Sequence, residues 1–181
     1  MRLIWLVLLS LPVAACSTTP FYQGLPATQS GADLTFVKGY ERHELTAAPS
    51  VSYALNTEET CTNLRVAAAL LWTTGAEKTV RVPSATPIYV WARTTFFYTQ
   101  GGSIVLGHPV ADVAQTVCID ASVFTPEMGH TYKVKQPATF RDTRCPLVII
   151  DEATGAPAKD VRPAPGLMNC GQTAPTSTQP R

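Results

Sequence analysis

Apolar and polar positions alternate in short runs through the middle of the chain, and glycine, proline and small polar residues break those runs at close intervals. That spacing predicts an all-β domain. Leu34-Thr35-Phe36-Val37, stopped by Lys38-Gly39, is the first expected strand. Between Asn63 and Trp72 the core Ala67-Ala68-Ala69-Leu70-Leu71 has good helix propensity, but Val66 and the Trp72-Thr73-Thr74-Gly75 exit favour a buried strand. Lys78 to Val82 alternates before Pro83, and Ile88 to Tyr98 is the most strand-prone stretch, with Ile88, Val90, Ala92 and Thr94 on one face and Tyr89, Trp91, Arg93 and Thr95 on the other. Gly101-Gly102 is expected to turn the chain into a short returning strand, Ser103 to Leu106, with a further break at Gly107-His108-Pro109. Asp112 to Asp120, the Tyr132/Val134 strand and Cys145 to Asp151 complete the series. The expectation is one sandwich of about seven short antiparallel strands.

The first residues follow a different pattern. Arg2, an apolar run from Leu3 to Leu9, Pro12 and the small residues Val13-Ala14-Ala15 form a secretory leader, too short for the roughly 20 residues of an anchoring helix. Val13-Ala14-Ala15-Cys16 resembles the lipobox of bacterial lipoproteins, a likeness confined to the leader. The resemblance implies cleavage before Cys16 and lipid on its thiol. With Ser17 rather than aspartate next in line, it also implies sorting to the periplasmic face of the outer membrane. Acyl chains contribute about 0.8 kcal/mol per buried methylene, so they would hold the protein without help from its folded part. The expected organisation is a leader over 1–15, a lipidated flexible tether rich in Ser, Thr, Pro and Gly over 16–31, the β-domain over 32–162, and a mostly disordered tail over 163–181 unless Cys170 ties it back.

With 14 basic and 13 acidic side chains the net charge is near zero, and no cluster of lysine and arginine suits a phosphate backbone. Nucleic acid is therefore not an expected partner. Hydrophobic residues make up 45% of the chain and charged ones 15%, a balance that argues for a packed domain. Beyond Cys16 lie four cysteines, Cys61, Cys118, Cys145 and Cys170, with no metal-ligand spacing. In an exported chain they are expected to form two disulfides. Three connectivities are open, and the nearness of Cys118 and Cys145 in successive strand-like runs favours Cys118–Cys145 with Cys61–Cys170.

Catalytic patterns are not evident. Gly101-Gly102-Ser103 lacks the G-x-S-x-G of a hydrolase elbow, and His43-Glu44-Leu45-Thr46-Ala47 has alanine where a zinc protease needs its second histidine. His43, His108 and His130 fall at expected turns; a metal site would require them to converge and to recruit Glu127 or Asp112. Asp151, Glu152 and Asp160 do not alternate as calcium ligands do. No glycine-rich loop joins a strand to a helix, so no nucleotide, metal or other cofactor is expected.

Phe96-Phe97-Tyr98 is the feature that points to binding. Neighbours on a strand face opposite ways, so these three cannot all be core, and at least one is expected on an outer face as part of a partner surface. The turn and strand layout from Val113 to Gly155 resembles small bacterial envelope lipoproteins with immunoglobulin-like or transthyretin-like sandwiches. Together the readings lead to a non-enzymatic outer-membrane lipoprotein that binds an envelope protein, as a binding or assembly module. An inhibitor or immunity lipoprotein that blocks a toxin or lytic enzyme is the alternative.

Overall fold

The computed structural model describes residues 20–40, 47–71, 75–105, 108–139 and 145–170, with backbone alone for 47–48, 99–105 and 108–113. Among these residues there are nine strands: β1 Ala32–Val37, β2 Ala47–Asn56, β3 Arg65–Leu71, β4 Glu77–Val82, β5 Ile88–Val105, β6 His108–Phe124, β7 Thr131–Lys135, β8 Val148–Asp151 and β9 Arg162–Pro163, followed by a 3-10 turn, Pro165–Leu167. They form two sheets, β4-β1-β7-β8 and β3-β2-β5-β6-β9. The all-β expectation holds, and within the stretch read as a strand between Asn63 and Trp72, Arg65–Leu71 is strand β3.

The finer count does not hold. Nine strands replace about seven, and β5 and β6, at 18 and 17 residues, are not short. Gly101-Gly102 is not a hairpin turn: the β5–β6 ladder shifts register between Thr99 and Gly102 and continues to Val105↔His108. A glycine pair fits a bulge as readily as a turn, because both need backbone freedom and neither needs a side chain. One pairing, β1 with β7, is parallel and joins segments about a hundred residues apart, a contact for which no local pattern exists. β2 was not anticipated, because Pro49 marks a break in the sequence. In the fold Pro49 pairs with Phe96 of β5, and the described β2–β3 register begins one residue later, at Ser50, so the proline stands near the end of its strand, where it is tolerated.

Alternation explains the core. β1 sends Ala32, Leu34 and Phe36 inward, β2 sends Val51, Tyr53 and Leu55, and β5 sends Ile88, Val90 and Ala92. Each large side chain so buried contributes roughly 1.5–3 kcal/mol. Ala67 and Ala68 are adjacent yet both buried, which the register shift at Tyr53/Ala54 permits. The opposite face of the four-stranded sheet is polar. There Asp33 faces Arg81, at 3.0 Å, and the Thr35 and Thr79 hydroxyls are 3.0 Å apart.

A buried polar chain joins the two sheets. The Tyr53 hydroxyl on β2 donates to the Val37 carbonyl at 2.8 Å and accepts from the Gln136 N–H at 3.1 Å. Burial pushes the Tyr53 phenol well above its ordinary value, so it stays a donor at any physiological pH. Gln136, fully buried, accepts from Thr94 of β5 at 2.7 Å and donates to the Cys145 carbonyl at 3.1 Å. Gly39 permits this approach: a Cβ there would lie 1.9 Å from the Gln136 carbonyl oxygen.

Two disulfides, Cys61–Cys170 and Cys118–Cys145, brace the fold, the favoured one of the three connectivities. The geometry behind it differs from the expectation. Cys145 precedes β8, which lies in the sheet opposite Cys118 of β6, so this bridge crosses between sheets. The other bridge holds the C-terminal segment against the outer face of the five-stranded sheet. There Ala164, Leu167 and Cys170 cover Ala54, Trp91, Ala121 and Val123, and the Ala164 N–H donates to the Ala121 carbonyl at 2.9 Å. Residues 163–170 are thus part of the domain, tied back by Cys170, whereas 171–181 lie outside the described residues.

The tether assignment over 16–31 is corrected in the same way for residues 20–31. Val66 donates to the Pro20 carbonyl at 3.1 Å, Tyr22 donates to the Val66 carbonyl at 2.8 Å, and Leu25 donates to the Arg81 carbonyl at 2.9 Å. Their turn-forming composition reads as linker because only backbone groups make these bonds. Two outcomes test the arrangement. Tyr53→Phe, which leaves Gln136 N–H and the Val37 carbonyl without their buried partner, is expected to lower unfolding free energy by about 1–3 kcal/mol in urea titration. Cys61→Ser with Cys170→Ser, in a Trp72→Phe background, is expected to red-shift emission of the uncovered Trp91 and to cost about 2–4 kcal/mol.

Candidate protein-binding face

The described residues cover the outer face of the five-stranded sheet only in part. Its first rows lie beneath the C-terminal segment, and Ile119 packs against the margin of that cover. Further along the strands come two rows set by register: Ala69, Ser52, Arg93 and Ile119, then Leu71, Ser50, Thr95 and Val117. Phe97 follows, opposite Gln115. Phe97 is 43% exposed, Leu71 46% and Val117 37%, while Thr95 between them is buried. Large apolar side chains gathered in this way on a sheet face suit a partner better than water.

Alternation sorts the aromatic run. Phe96 is buried with Cys118, Ala138 and Cys145, edge-on to Tyr40 at a centroid distance of 6.5 Å. Phe97 points out and Tyr98 is half-buried. Of the three residues expected at a partner surface, Phe97 is therefore the outward member and Phe96 belongs to the interior.

Beyond Tyr98, β2 ends, and β5 and β6 continue as a two-stranded arm through Thr99↔Val113 to Val105↔His108. β6 is covered on its far edge only near Phe124. β9 pairs with Ser122 and Val123, and Asp120 accepts from the Leu147 N–H. From His108 to Val117 no described strand pairs with that edge, and the sequence from Val113 to Ile119 carries no charge. Unpaired, uncharged strand edges are ready sites for backbone pairing.

The other candidates resolve differently. His43 lies outside the described residues. His108 opens β6 and His130 follows its end, so the length of that strand, roughly 50 Å at 3.3 Å per residue, keeps them apart. His130 is instead held by Asp151 at 2.9 Å and Glu127 at 3.4 Å, and Glu127 also takes Lys159 at 3.0 Å. The His130 hydrogen bond draws the Asp151 carboxyl below its ordinary value. Glu152 pairs with Lys133 at 2.9 Å, so neither acid beside Gly155 is available to a cation. Among the described residues no three His, Cys, Asp or Glu side chains gather as a metal site would require. A cleft of about 330 Å³ lies at the opposite end, lined by Tyr22, Leu55, Asn56, Thr57, Asn63, Arg65 and Ile88. Asn56 spends its amide on the Thr60 and Thr62 carbonyls, at 2.7 and 2.8 Å, which leaves few groups to recognise a ligand.

Cys16 lies outside the described residues. No protein-family model, curated protein or solved structure matches this chain. Arg93 and Val117 were not among the residues expected at a partner surface. Neither carries a sequence signal for it, since their role depends on which part of the sheet the C-terminal segment leaves open. The two phenylalanines give a direct check. Phe96→Ala is expected to destabilise by about 3–5 kcal/mol, whereas Phe97→Ala is expected to stay within about 0.5 kcal/mol of wild type, both read by chemical denaturation.

Proposed function

We propose that the protein is a lipid-anchored component of a bacterial envelope, held by acyl chains on Cys16 at the periplasmic face of the outer membrane, and that it works as a non-enzymatic binding or assembly module. The observation that carries this reading is the exposure of Phe97 and Val117 on an open sheet face beside an unpaired strand edge. Two disulfides suit an oxidising compartment outside the cytoplasm. The N-terminal segment docks beside Val66, in the row of Trp91, while the arm ends at Val105. Fourteen residues of β5 separate the two rows, roughly 45 Å at 3.3 Å each. An anchor at one end and a binding arm at the other would let the protein reach a partner away from the bilayer.

The arm also favours a second reading, an inhibitor or immunity lipoprotein that inserts this hairpin into a toxin or lytic enzyme. Replacing residues 99–113 by a tight turn would abolish such inhibition and leave binding at Phe97 in place. Location is tested through the anchor. Cys16→Ala is expected to move the protein from the membrane pellet to the soluble periplasmic fraction, with an intact mass that lacks acyl chains. Retention of the variant in the membrane would defeat the proposal.

A further inference from the structure

Among the described residues, the open half of the outer face carries a single charge. Arg93 sits between the covered and open rows, with Ser52 opposite it on β2, Ile119 opposite it on β6 and Thr95 next along its own face. Its Nε–H is buried and has no acceptor among the described residues. Two other buried donors share that condition, the Trp91 indole and the Tyr40 hydroxyl, but both are neutral. Arg93 as a whole is half-buried; a guanidinium is a fork of donors suited to a carboxylate, and leaving its buried Nε–H unmatched is costly. No acidic residue stands in the rows of this face, which are Ala69, Ser52 and Ile119 beside Arg93, then Leu71, Ser50, Thr95 and Val117.

We propose that this face docks a segment of a partner protein that presents a carboxylate between apolar side chains, the carboxylate accepting from Arg93 while its neighbours cover Phe97 and Val117. Charge complementarity selects this occupant. A second copy packed face to face would bring another Arg93 and no acid. An anionic lipid surface is met by a cluster of basic residues, and here there is one. The inference rests on the reading of the chain as a binding module and adds the chemistry of the partner.

The test uses the full chain in its own envelope, with photoreactive benzoylphenylalanine in place of Phe97, and separately in place of Ser103 in the arm and Met128 at the other end of the strands. Irradiation at position 97 is expected to give one protein adduct whose cross-linked segment contains Asp or Glu flanked by apolar residues. Arg93→Gln is expected to lower its yield roughly 10- to 100-fold, with Arg93→Lys losing less because the charge is kept. Arg93→Glu combined with the opposite change in the partner's acid is expected to restore it. An adduct with lipid or with a second copy, no adduct at position 97, or a protein adduct indifferent to Arg93 would each overturn the proposal. In those cases a protein adduct from position 103 leaves the binding-module reading standing, and no protein adduct at any position removes both. If Arg93→Gln fails to fold, the charge-reversed pair decides, rescue supporting the proposal and its absence overturning it.

Discussion

Successive side chains on a strand face opposite ways, and β5 lies where both ways lead to apolar surroundings. Ile88, Val90, Ala92 and Thr94 go to the space between the sheets, so Tyr89, Trp91, Arg93, Thr95 and Phe97 must go outside. A sheet that is apolar on both faces needs a second cover. The chain supplies one from its own C-terminal segment and secures it through Cys61–Cys170. Among the described residues that cover reaches as far as Ile119, and the candidate face lies beyond it.

The interior ties together the strands that carry the outer face. Tyr53, Gln136 and Thr94 link the sheets through bonds of 2.7–3.1 Å, in a region where a missing partner would be expensive. Thr94 lies between Arg93 and Thr95 on β5, so the residue that joins the polar chain inside immediately neighbours the residues presented outside. Cys118 does the same on β6, bonded inward to Cys145 and flanked by the outward Val117 and Ile119. A face built on such strands would present its apolar side chains with little loss of freedom on binding, which favours affinity.

The two ends of the domain differ in what adjoins them. Near Val66 the strands receive the N-terminal segment, and past Tyr98 they leave the sandwich as an arm whose edges pair with no other described strand. A two-stranded ribbon is marginally stable alone in water, so an arm of this length has reason to be covered by something else. The uncharged stretch of β6 from Val113 and the apolar face at the root of the arm are continuous, which fits one extended contact better than two separate ones.

Local patterns in the sequence were enough for the all-β class, for most strands, for the interior half of β5 and for the conclusion that one member of Phe96-Phe97-Tyr98 must face out, because alternation is a property of neighbouring residues. They also favoured the disulfide pairing that the fold contains. Tertiary structure alone decided what depends on distant partners. It made Gly101-Gly102 a bulge in a long ladder, paired β1 with β7 in parallel, and placed Pro49 in β2 opposite Phe96. It turned the Pro20–Gly31 segment and the stretch to Cys170 from linkers into parts of the domain, through backbone bonds and a disulfide that composition does not record. Arg93 became a candidate contact for the same reason: whether a guanidinium is solvated or stranded depends on what the folded chain lays beside it.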